Sequence, residues 1–159
     1  MIDMLLCRSP RTPLRATRTG LFAASLLLAG ACQHTARAAA DEPVTGTFVA
    51  EHGATTTPSG SVQGRINLAT GVMTFALSFA GLSGPPTVAH FHGPAAPGQD
   101  AGVMEPIRLT AKVPLRGTVT LKPADLVALR EGLMYVNLHT VRYPAGEARA
   151  QLRLRSDVN

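Results

Sequence analysis

Glycine and proline cut this chain into short stretches, and that spacing limits the fold more than any other feature. The 159 residues include 15 Gly and 12 Pro, with few aromatics and no Trp. Long helices cannot run through such punctuation, whereas short strands joined by turns can. The stretches also alternate. Val62, Ile66 and Leu68 fall on one side of an extended Ser61–Leu68, and Met73, Phe75, Leu77 and Phe79 on one side of an extended Val72–Phe79. Ala69-Thr70-Gly71 between them is a hairpin turn. Further strands are predicted over Thr45–Glu51, Thr87–His92, Val103–Leu109, Arg116–Leu121, Leu133–His139 and Gly146–Leu154. Pro106 marks its strand as an edge or a bulge. One helix interrupts them. Pro123 suits a first helical turn, Asp125 favours a helix N-terminus, and Leu126, Leu129 and Arg130 follow before Gly132. The expectation is an all-β, antiparallel immunoglobulin-like sandwich or barrel of about eight short strands, with one short helix near residues 123–131.

Residues 1–40 read as a cleaved export signal. Arg8, Arg11, Arg15 and Arg18 precede an apolar run, Leu21–Ala31, that is short for a bilayer span. Ala36-Arg37-Ala38 and Ala38-Ala39-Ala40 offer ordinary cleavage sites, while Leu28-Ala29-Gly30-Ala31-Cys32 resembles a bacterial lipobox that would lipidate Cys32. Both endings stay open at this point. Either one puts residues 41–159 outside the cytoplasm, in the periplasm or cell envelope, lipid-anchored or soluble. The only other cysteine is Cys7, so the domain holds no disulfide, no thiol nucleophile and no Cys-ligated metal.

The net charge of +5 belongs to the leader. Five arginines stand against one aspartate before Asp41, whereas ten Lys and Arg face nine Asp and Glu from there on. A near-neutral domain without a basic run gives nucleic acid no electrostatic footprint. Enzymatic constellations are also missing, and the chain leans away from being an enzyme. Ser59, Ser61, Ser78 and Ser83 have no nucleophile elbow around them, and Asp100, Glu105 and Glu147 show no paired-carboxylate spacing. The Gly93–Gly102 loop lacks the Lys and helix of a phosphate cradle.

The histidines carry the remaining chemistry. Residues two apart on a strand share a face, so His90 and His92 point one way and Phe91 the other. Tyr135, Asn137 and His139 share a face likewise. If the two stretches meet, His90, His92 and His139 form a three-imidazole site suited to copper or zinc, with His52 or Met104 as candidate fourth ligand. The alternative is that the same histidines brace loops, with Asn137, Glu147 and Arg149 as polar partners. Glu147 and Arg149, two apart, suggest an ion pair.

His90-Phe91-His92-Gly93-Pro94-Ala95, and Tyr135–Thr140 followed by Tyr143–Leu152, resemble the two signatures of the CHRD family, named for chordin. The resemblance covers roughly residues 44–154 and departs from the family pattern at Ala148 and Ala150, where Ile and Gly are usual. It implies an immunoglobulin-like β-barrel distantly similar to copper–zinc superoxide dismutase, and brings no settled activity. The expectation is an exported binding module for a metal ion or an envelope protein. A non-metal interaction module is the alternative. A dismutase-like enzyme is weaker still, because four histidines after residue 41 are too few for paired metal sites.

Overall fold

The computed structural model describes residues 41–155. Residues 1–40, over which an export signal is expected, Cys32 included, lie outside the described residues. Nine strands and one helix follow in order: β1 (Glu42–Ala50), β2 (Ser59–Ile66), β3 (Val72–Ala80), β4 (Val88–His92), β5 (Val103–Pro106), β6 (Leu115–Thr120), α1 (Pro123–Arg130), β7 (Tyr135–His139), β8 (Ala148–Gln151) and β9 (Arg153–Leu154). Every strand pairing is antiparallel. The all-β sandwich with a single short helix expected from the sequence is the fold observed.

Strand β1 belongs to both layers. Its first part, Glu42–Thr47, pairs with β2, and Val44 and Thr45 also pair with β9. Its last part, Phe48–Ala50, pairs with β8. The hydrogen-bonded order is therefore β5-β4-β7-β8-β1-β2-β3-β6. One layer is built on β2, β3 and β6, the other on β4, β5, β7 and β8. Their inner faces meet in a core that includes Val62, Met73, Leu77, Phe91, Val136, Leu138, Ala148 and Ala150, each fully buried. Phe75 and Phe91 join the layers edge to face, with ring centroids 5.2 Å apart.

Local chemistry sets the element boundaries. The β2–β3 turn is fixed by Asn67, whose Oδ1 accepts from the amides of Ala69 and Thr70. Helix α1 opens with Pro123 at its first position, and Asp125 accepts the Lys122 N–H at 3.1 Å. It closes where Gly132, at φ 70°, and Leu133 return their amides to the carbonyls of Leu129 and Ala128. The long last strand read from sequence is broken in two, because the Leu152 amide turns aside to the carbonyl of Met134. Strand β5 is an edge strand, and the β4–β5 register shifts between Phe91 and His92. No helix among the described residues is long and apolar enough to cross a membrane.

Alternation in β4 and along β1 separates core from surface, and substitutions should read out that difference. Phe91→Ala should cost about 3–5 kcal/mol in urea unfolding, because a fully buried ring is removed from the layer interface. Val49→Ala, at a position 57% exposed, should change stability by no more than about 0.5 kcal/mol.

Candidate metal centre

Strands β4 and β7 are hydrogen-bonded neighbours, with His90 opposite Asn137, His92 opposite Tyr135 and Val88 opposite His139. Opposed residues in an antiparallel pair share a face. The outer face of this layer thus carries His90, His92, Tyr135, Asn137 and His139, and β8 adds Arg149 opposite Asn137 and Gln151 opposite Tyr135. An outer sheet face normally meets water. Here the 93–102 loop folds over part of it, its ends joined by the Gly93 amide and the Gly102 carbonyl.

Arg149 fastens that loop. Its guanidinium donates to the carbonyls of Ala95, Ala96 and Gln99, to Gln151 Oε1, and to Glu51 Oε1 at 2.8 Å. The Arg149 and Glu51 side chains are both at least nine-tenths buried. Asn137 holds the other oxygen of Glu51 through Nδ2 at 2.6 Å. Gln151 Nε2 reaches Ala95 and Gly132 carbonyls. The ion pair suggested between Glu147 and Arg149 is not formed: Arg149 pairs with Glu51, which is 98 positions away in the chain and carries no local signal of that role. Glu147 precedes β8 and is held by hydroxyls instead.

The three imidazoles meet on this face. Ring centroids lie 5.4 Å apart for His90–His92 and His90–His139, and 6.1 Å for His92–His139. One nitrogen from each lies within 4.8 Å of the others. His92 Nδ1 is 3.0 Å from the Ala101 carbonyl, and His139 Nδ1 is 3.0 Å from the Pro144 carbonyl. A carbonyl only accepts, so both Nδ1 atoms carry the proton and both Nε2 atoms keep a lone pair when neutral. Those Nε2 atoms, together with His90 Nδ1, are buried and have no hydrogen-bond partner. Burial, then the neighbouring histidines, lowers the pKa of His90. Burial is also the main cause lowering that of His92, and with smaller contributions from His139 and Arg149 it outweighs the opposing pull of the Ala101 carbonyl and Glu51. Neutral imidazoles with free lone pairs are what a copper or zinc ion requires. Bonds of about 2.0–2.1 Å at tetrahedral angles would put the nitrogens ~3.4 Å apart, so the donors fit one ion after a small inward movement.

The other candidates lie elsewhere. His52 joins Glu51 and Asp100, with Nε2 3.0 Å from Asp100 Oδ1, in a second donor group at the edge of the face. These three residues line a groove of about 700 Å³ with Pro97, Gly98 and Arg149, and none of the three clustered histidines lines it. Met104 packs against the core, near the Gly93 backbone. Tyr135, which alternation puts on the face of Asn137 and His139, has no site role legible in the sequence. It stacks on His92, with centroids 5.1 Å apart and planes 13° apart, and that pairing required only the β4–β7 register to be found.

Compared with known protein families, residues 41–152 match the model of the CHRD domain. No curated protein and no solved structure matches the chain.

Glu147, fully buried beside this face, ties the surrounding loops together. It accepts from Thr56 Oγ1 at 2.7 Å, from the Ser83 amide at 2.6 Å and hydroxyl at 2.7 Å, and from the Thr140 hydroxyl. Burial pushes its pKa up, but these four hydrogen bonds outweigh it and bring the value from 4.5 down to about 2. The stability it contributes is complete above pH 4.5 and lost as pH falls toward 2. The urea midpoint should therefore drop across that window in the parent protein. Glu147→Gln should flatten the pH dependence and cost about 1–3 kcal/mol at pH 7, where a buried donor is left without its charged acceptor. An unchanged acid limb in the variant would exclude this role.

Proposed function

We propose a metal-binding role for this chain, which belongs to the CHRD domain family. In this reading it is an exported envelope module that holds one copper or zinc ion through His90 Nδ1, His92 Nε2 and His139 Nε2. The supporting observation is the set of three buried, unpartnered nitrogens converging from two adjacent strands. A buried polar atom left without a partner costs about 1–3 kcal/mol, and a bound ion would satisfy all three at once. Histidines that only braced loops would need the two Nδ1 bonds and nothing at Nε2. Three protein ligands leave a coordination position open for an outside group. The export signal read over residues 1–40 places the domain in the periplasm or cell envelope in this proposal, and intact mass of the mature N-terminus separates a lipidated Cys32 from a soluble form.

A second reading, a protein-interaction module of the envelope without metal, draws on the Glu147 hub and the Arg149 clamp, which organise loops with no ion. Thermal melts of His90→Ala with and without chelator separate the two. A chelator-sensitive parent and an insensitive variant support metal, whereas equal behaviour supports bracing.

Titration of metal-free protein with Cu(I), Cu(II) and Zn(II) should give one equivalent bound. The His92→Ala/His139→Ala double variant should weaken it by more than the roughly 10–100-fold that loss of an outer hydrogen-bonding partner costs. Parent binding no tighter than the double variant would sink the metal reading.

A further inference from the structure

We infer that Tyr135 is the positioning residue of this centre, setting the ring of His92 so that its Nε2 faces His90 and His139; the link to metal rests on the function proposed above. Tyr135 is 1% exposed and stands directly across from His92 in the β4–β7 register. It acts by two routes. Its ring lies nearly parallel to the imidazole, which fixes the imidazole plane. Its hydroxyl accepts the Ala101 N–H at 3.1 Å, and the carbonyl of that same Ala101 accepts His92 Nδ1–H. One residue of the loop is thus gripped by Tyr135 and in turn selects the His92 tautomer. The Arg149 guanidinium carbon also sits over the Tyr135 ring, 3.4 Å from its centroid. The Tyr135 ring thus contacts both the His92 imidazole and the guanidinium that clamps the loop.

Among the described residues, the other two histidines have no such support. His139 is held by the Pro144 carbonyl without an aromatic partner besides the histidines, and among the described residues His90 makes only edge contacts to their rings. Pre-orientation is therefore concentrated on one ligand. Outer groups that fix a ligand's tautomer and plane raise metal affinity because less freedom is lost on binding.

The test uses Tyr135→Phe and Tyr135→Leu in the full chain, with Val136→Ala as a packing control on the core face. In metal-free protein, imidazole ¹⁵N shifts should show His92 of the parent as a single tautomer protonated on Nδ1. Tyr135→Leu should release it into a mixture, and Tyr135→Phe, which keeps the stack but loses the hydroxyl, should do so in part. Cu(I) and Zn(II) affinity should fall about 10–100-fold in Tyr135→Leu, less in Tyr135→Phe, and not in Val136→Ala. Tyr135→Phe carries the test if the leucine variant does not fold. A parent-like tautomer in the Tyr135 variants, with only a lower melting temperature, would overturn the inference. A parent that binds no metal while Tyr135→Phe still frees the tautomer would overturn the metal reading and leave the positioning role standing.

Discussion

Arg149 commits its buried guanidinium to a carboxylate, an amide and three loop carbonyls, and the polar face of the molecule depends on that commitment. Without it, the 93–102 loop has Gly, Pro and small side chains but little apolar surface with which to stay down. With it, the loop covers part of the outer sheet face and Ala101 reaches both His92 and Tyr135. The charge itself is compensated by Glu51, which Asn137 also holds. A buried pair of this kind adds modestly to net stability, because desolvation offsets much of the attraction, yet removing one partner leaves an unpaired buried charge. Its consequence here is geometric: it decides which backbone atoms stand over the histidines.

The sandwich consequently has two interiors of different chemistry. Between the layers, Phe75, Phe91, Leu77, Val136 and Leu138 form an apolar core. Outside β4, β7 and β8, a thinner polar interior lies between the sheet and its covering loops, where Glu147, Arg149 and Asn137 are buried. The first needs only area removed from water. The second needs each polar atom to find a partner, and most do. The exceptions gather in one place, at His90, His92 and His139, with Asn137 Oδ1 nearby on the same strand. That concentration distinguishes the histidine cluster from the bracing around it.

Much of this was legible along the chain. Alternation placed His90 and His92 opposite Phe91, and Tyr135 and His139 with Asn137, because a strand has a period of two. The helix announced both ends through Pro123, Asp125 and Gly132. Partners set by long-range contact were not legible. Glu51 looked like the end of a strand, yet it neutralises Arg149 98 positions away. Glu147 looked like half of an ion pair, yet hydroxyls from three separate loops hold it. His52 looked available to the other histidines, but the turn that carries it, at φ 50°, aims it at Asp100.

The sequence by itself determined the element types, the family and the faces of the histidines, since turn chemistry, side-chain alternation and the two signatures are local. Tertiary structure decided that β4 and β7 are neighbours, that the Gly-rich loop is strapped down rather than open, and that Tyr135 stacks on His92. Those outcomes depend on register between strands far apart in the chain and on where a buried cation finds its acceptors. Neither quantity is written into any one segment, because each is settled only when the two layers close on a shared core.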